Sequence, residues 1–113
     1  MYVVIAVAET PYYSRRAASI MSEEERSAVI ETIALAPEAG DLIQGTGGVR
    51  KLRIALEGRG KSGGARVIYY YQNDAWPVLL LEVFAKNEKA NLSQSQRNAL
   101  AKLISELKAA RKG

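Results

Sequence analysis

Runs and alternations of apolar residues divide this chain into seven elements. Residues 2–7 are apolar and largely β-branched in succession, the composition of a buried strand. Thr10 and Pro11 then supply an N-cap and an N1 residue, predicting a short helix through about residue 21. Ser22 with Glu25 three residues on forms a capping box, and Glu23, Glu24 and Glu25 complement the dipole of a second helix. Val29, Ile30, Ile33 and Ala34 give that helix its apolar stripe, and the segment from Pro37 to Gly40 ends it.

Beyond the turn-rich residues 44–48, two strands are predicted over about 49–56 and 65–72. In the first, Lys51 and Arg53 point to one face while Leu52, Ile54 and Leu56 point to the other. Asn73-Asp74 makes a tight connection into residues 77–84, which lack polar alternation and read as a central strand covered on both faces over most of its length. Ser93 and Gln96 form a second capping box, and Leu100, Leu103, Ile104 and Leu107 repeat at helical spacing. The basic residues of 108–112 suit a helix C-terminus, although such an end also frays. The expected order is β-α-α-β-β-β-α in a single α+β domain over residues 1–113, with no internal repeat and no linker.

A chain of 113 residues is long enough to bury a core without staples. It has no cysteine, which excludes disulfides and thiolate metal sites, and no histidine. The missing histidine removes the Ser-His-Asp and Cys-His arrangements, the usual zinc-water sites and the commonest general base. Chemistry is left to lysine, arginine, tyrosine, serine and carboxylates. The net charge of +4 is unevenly spread: residues 1–45 hold three basic and seven acidic side chains, residues 46–113 thirteen and five. That polarity suggests a basic face suited to a polyanion, while a merely solvated basic surface explains the charge equally well. Residues 1–8 are apolar but short and lack a basic flank, so they read as a strand and not a signal peptide. No run approaches the roughly 20 apolar residues of a membrane span, and a cytoplasmic protein is expected.

Six basic residues (Arg50, Lys51, Arg53, Arg59, Lys61 and Arg66) against one acid, Glu57, are concentrated between residues 50 and 66. Gly58, Gly60, Gly63 and Gly64 suit a wide turn presenting Arg59 and Lys61. The Gly-Lys-Ser triplet at 60–62 lacks the preceding spacing of a phosphate-binding P-loop and is flanked by strands. Antiparallel pairing can bring Arg66 beside Arg53 or Lys51, and three cations on one face repel unless an anion sits between them. Cations splayed into solvent are the alternative. Tyr70 shares the face of Arg66 and is open to base stacking or to packing; Tyr69 and Tyr71 face the other way and read as packing residues. The segment after the last strand places Lys86, Asn87, Glu88 and Lys89 where loops commonly carry function.

The motifs Glu38-Ala-Gly-Asp-Leu-Ile43, Gly47-Gly-Val-Arg-Lys-Leu-Arg53, Gly58-Arg-Gly-Lys-Ser-Gly-Gly-Ala-Arg-Val-Ile-Tyr-Tyr70 and Ala85-Lys-Asn-Glu-Lys89 resemble the RelE/ParE superfamily of bacterial type II toxins, most closely its HigB-like branch. The resemblance covers nearly the whole chain. It implies a microbial-ribonuclease-like fold, with helices packed on a twisted, mainly antiparallel sheet. It implies a cytoplasmic mRNA endonuclease acting at the ribosomal A site with neither metal nor cofactor. The substrate's own 2′-hydroxyl attacks the adjacent phosphate, leaving a 2′,3′-cyclic phosphate and a 5′-hydroxyl. Lysines and arginines hold the phosphate and stabilise its transition state, and a lysine depressed by neighbouring cations can take the proton.

Carried over by position, the resemblance makes Lys51, Arg53, Arg66 and Lys86 the catalytic set. Arg50, Arg59, Lys61, Tyr70, Asn87, Glu88 and Lys89 become contacts to RNA or the ribosome. Asn87 stands where the RelE branch often has an arginine that acts as acid, and Ser93 near where it has a stacking tyrosine. Lys86, Glu88 or Tyr70 can take those roles, and whether Lys86 or Lys51 is the base stays open. The implied partners are the ribosome with its mRNA and a helix-turn-helix, HigA-like antitoxin, through which alone operator DNA is engaged; no membrane is involved. A ParE-like gyrase poison and a non-catalytic RNA- or ribosome-binding module are the alternative functions.

Overall fold

The computed structural model describes residues 5–57, 63–89 and 91–112. Within them a five-stranded sheet has helices on both faces. The elements run β1 (Val7–Glu9), α1 (Pro11–Ile20), α2 (Glu23–Leu35), β2 (Asp41–Leu42), β3 (Val49–Ile54), β4 (Ala65–Tyr70), β5 (Val78–Ala85) and α3 (Gln94–Lys112). The sheet order is β1-β5-β4-β3-β2, with β1 parallel to β5 and every other pair antiparallel. The α+β class and helix-on-sheet architecture expected from the sequence are the ones found.

Local signals placed the helices well. The Thr10 hydroxyl accepts from the Tyr13 N–H at 3.3 Å. Ser22 and Glu25 make the reciprocal pair of a capping box, and Ser93 and Gln96 do the same, with Ser93 N–H donating to Gln96 Oε1 at 2.8 Å. These bonds satisfy amides that a helix start otherwise leaves unpaired. The strands needed three corrections. The first is Val7–Glu9 and not 2–7; residues 2–4 lie outside the described residues, and Ile5 is buried beside the strand. Of the described part of the apolar run only Ile5 is buried, and sheet pairing is set by the β5 edge that β1 lies against. A two-residue strand, β2, was not anticipated, because no periodicity registers over two residues. The middle strand is β4, whose six residues are all buried, while β5 lies between it and β1.

Alternation on the strands sorts the core into two layers. Ala65, Val67 and Tyr69 of β4 join Tyr13, Ala17, Ile20, Val29 and Ile33 under α1 and α2. Ile68 and Tyr70 face the other way, with Val49, Phe84, Leu92 and Ile104 beneath α3. A β-bulge opposite Ile68 and Tyr69 leaves Leu81 unpaired, because Ile68 faces Glu82 but Tyr69 faces Leu80. The basic end of α3 is tied down: Lys108 Nζ donates to the Gly47 carbonyl at 2.9 Å, and Arg111 donates to Gln72 Oε1 at 2.9 Å while lying 4.9 Å from the Trp76 ring.

Burial pushes the phenols of Tyr13, Tyr69 and Tyr70 above the ordinary tyrosine value, helped at Tyr13 by the Glu9 carboxylate. A group whose folded pKa is raised contributes stability that is full below the unfolded value and lost as pH rises through the folded one. The thermal midpoint should therefore hold steady up to about pH 10, the unfolded tyrosine value, and fall above it as tyrosinate absorbance appears. A midpoint unchanged through strongly alkaline pH would show these three rings to be ionising freely in the native state.

Candidate active site

The face of the sheet beneath α3 is only partly covered by it. Toward the β4 start and the β5 end, cationic side chains replace apolar ones. Lys51 and Arg53 are alternate residues of β3, so both project from the Val49 face, while Leu52 and Ile54 pack against the α1–α2 layer. Antiparallel register sets Arg53 opposite Arg66 and Asp41 opposite Lys51. Directly paired residues share a face about 5 Å apart. Ala65 pairs with Ala85, which brings Lys86, the next residue, to the head of β4; its N–H donates to the Gly64 carbonyl at 2.9 Å. Asn91, just ahead of the α3 cap, closes the group from above, its Oδ1 standing 3.5 Å from Lys51 Nζ.

Together Asp41, Lys51, Arg53, Arg66, Lys86 and Asn91 line a polar hollow of about 210 Å³. Four of these six are cations and one is an anion, so the described residues of the lining carry a net charge of +3. A cleft lined by one sign of charge focuses its field and concentrates counter-ions. A larger hollow, about 410 Å³ between the start of α2 and the end of β3, is lined by Ser22, Glu24, Glu25, Ala28, Ile54, Ala55 and Glu57. Among the described residues its charged groups are all acidic, which makes that lining unsuited to a phosphate despite its size.

Within the smaller hollow the cations differ in how firmly they are held. Arg66 is 5% exposed, and its NH1 donates to the carbonyls of Gly63 at 2.8 Å and Ala65 at 3.2 Å. Burial first, and then the Arg53 guanidinium opposite, push its pKa below the ordinary arginine value. It stays a cation, because arginine does not lose its proton in proteins. Like charges set opposite each other on a sheet are destabilising. Arg66 is fixed against that repulsion by two carbonyl dipoles, and Arg53 is exposed to water. The side chains of Arg53 and Lys86 make no hydrogen bond or ion pair among the described residues. The arrangement is one rigid guanidinium with adaptable cations around it.

All four residues expected to be catalytic, 51, 53, 66 and 86, meet in this hollow. The expected RNA contacts divide. Arg50 projects from the opposite face, where it donates to the carbonyls of Glu38 at 3.1 Å and Gly40 at 2.8 Å and pairs with Glu38 at 3.6 Å. It fastens the α2–β2 turn. Tyr70 is 2% exposed beneath α3, with Arg111 5.8 Å from its ring, so it packs and does not stack a base. Glu88 caps the loop after β5 through the Ala85 N–H at 2.8 Å and pairs with Arg16 on α1. Lys89 pairs with Glu82 at 3.0 Å and lies over Phe84. Asn87 is exposed beside Lys86 and does not line the hollow. Arg59 and Lys61 lie outside the described residues.

Two lining residues were not singled out from the sequence. Asp41 sits in the motif Glu38-Ala-Gly-Asp-Leu-Ile43, where its only signal was the turn that precedes it. Asn91 read as part of a helix opening. The family model described as the RelE toxin of the RelE/RelB toxin–antitoxin system matches residues 10–113, which include every residue of the hollow.

Proposed function

The chain belongs to the RelE toxin family and is a toxin of a toxin–antitoxin system, and from that premise we propose that it is an endoribonuclease cleaving mRNA in the ribosomal A site. The observation that carries this reading is the convergence of Lys51, Arg53, Arg66 and Lys86 on one hollow, from three separate stretches of chain. Cations so disposed suit a single phosphate passing through a pentavalent transition state. Charge stabilisation by donors already in place is commonly the largest catalytic contribution.

In this reading Arg66 holds a non-bridging oxygen of the scissile phosphate, with Lys51 and Arg53 sharing the rest of its charge. The 2′-oxygen attacks phosphorus, the bond to the 5′-oxygen breaks, and a 2′,3′-cyclic phosphate and a 5′-hydroxyl result. Lys86, also in the lining, supplies the proton that the leaving oxygen takes. The chain needs no cofactor for these steps. Its antitoxin is proposed to carry a helix-turn-helix domain, and hence to bring the pair to operator DNA.

A short pulse of expression followed by mapping of mRNA 5′ ends tests this. The expected result is translation arrest with codon-linked cuts bearing 5′-hydroxyl ends. DNA damage without cut mRNA would replace the reading with gyrase poisoning. Ribosome association with intact mRNA would replace it with a binding module.

A further inference from the structure

One lining residue of the hollow has no task in the scheme above. Asp41 is the only carboxylate among the described residues of its lining. It stands opposite Lys51 in the β2–β3 register, on the edge strand, and so faces the same space as Lys51, Arg53, Arg66, Lys86 and Asn91. A carboxylate placed among cations would ordinarily be drawn into an ion pair. The Asp41 carboxylate makes none, and no hydrogen bond, among the described residues. Four other acids near functional segments are occupied: Glu82 by Lys89, Glu88 by Arg16, Glu38 by Arg50 and Glu9 by Arg26.

Attack by a 2′-hydroxyl needs an acceptor for its proton. An ammonium or a guanidinium offers donors only, and an amide oxygen accepts a hydrogen bond but is too weakly basic to keep a proton. Resting on the endoribonuclease reading, we infer that Asp41 is the proton acceptor for the attacking 2′-hydroxyl. The hydroxyl's hydrogen passes to an Asp41 carboxylate oxygen as the O2′–P bond forms. The P–O5′ bond breaks, and the leaving oxygen takes a proton from the Lys86 ammonium. Asp41 and Lys86 then exchange protons with water, restoring both. The chain thus needs no deprotonated lysine to begin the reaction, and a histidine-free protein has its base.

The experiment is single-turnover cleavage of mRNA on programmed ribosomes by wild type and by Asp41→Asn across pH, with binding of a 2′-deoxy substitute at the cleaved nucleotide measured in parallel. Asparagine keeps the shape and loses the basicity and charge. The expected result is a cleavage rate lower by about 10²–10⁴-fold, the range of general acid–base catalysis. The rise in rate with pH on the acid side should be lost with it. Binding of the uncleavable mRNA should be unchanged or tighter, since a negative charge leaves a cationic hollow. Groups titrating or charged around Asp41 are Lys51 and Arg53 on β3, Arg66 and the Tyr69 phenol on β4 and Lys86 after β5, and none of these is altered. A folded variant that cleaves at the wild-type rate with the wild-type pH profile overturns the assignment and leaves the nuclease reading standing. Loss of binding together with rate also overturns it, since Asp41 would then be holding the site together. A wild-type chain that cuts no mRNA overturns both.

Discussion

Arg66→Ala is expected to lower the rate of RNA cleavage by about 10²–10³-fold, the usual loss when one preorganised donor to a developing anion is removed. The argument rests on how Arg66 is held. Its guanidinium is nearly buried and pinned by two carbonyls, so its orientation is set before any substrate arrives. Such a group stabilises the transition state without reorganising, and it acts where water is scarce and electrostatic interaction strong. The exposed Arg53 lacks both advantages, so Arg53→Ala should cost less. The fold should survive in Arg66→Ala. The variant loses two side-chain hydrogen bonds but also the repulsion from Arg53 directly across the ladder. Arg66→Lys keeps the charge without the planar fork and should fall between wild type and alanine. Single-turnover cleavage beside circular dichroism checks this. A folded alanine variant with wild-type rate would mean that Arg66 is structural and the phosphate lies elsewhere.

The second large effect is on stability. Gly64→Ala should destabilise the chain by about 2–5 kcal/mol, combining left-handed backbone strain of about 1–2 with overpacking of about 1–3. Gly64 has φ +66°, and a Cβ built on it would overlap the Ile54 carbonyl oxygen. That oxygen belongs to β3 at the end of its ladder with β4, where Ile54 pairs with Ala65, and it cannot turn aside as a flexible side chain would. The Gly64 carbonyl also accepts the Lys86 N–H, so displacement would carry Lys86 with it. Gly45 is the control. It has φ +81° but nothing within 4 Å of the added carbon, so Gly45→Ala should cost only the backbone strain, about 1–2 kcal/mol. Thermal unfolding of both variants tests the comparison. For a domain of about this size each kcal/mol moves the midpoint by roughly 4 °C or more. Equal shifts in the two would mean that the Gly64 overlap is relieved by backbone movement.

How much of this could be read beforehand depended on the range of the interaction. The residues 51 and 53 could be put on one face without a structure, since strand alternation is a property of neighbouring residues. Arg66 opposite Arg53 was one of two registers considered, and only the ladder chose between them. Arg50 looked like one more basic residue of the cluster, yet it lies on the opposite face and is occupied by the α2–β2 turn. Tyr70 had the right face but the wrong depth, because α3, which begins only at Gln94, lies over it. Lys89 and Glu88 each looked available until Glu82 and Arg16 were seen beside them.

The sequence by itself determined the helix starts, the facing of the β3 side chains, the two-sided burial of β5, the absence of cysteine and histidine, and the motifs of the family. These are encoded in composition or in residues within a few positions of one another, where backbone geometry leaves little choice. The tertiary structure alone decided which cations remain unpaired, which face is left open by α3, and that Asp41 and Asn91 belong to the site. Those are outcomes of contacts between residues tens of positions apart. A two-residue edge strand and a loop asparagine acquire their meaning only when β3 and β4 have brought Lys51, Arg53 and Arg66 beside them.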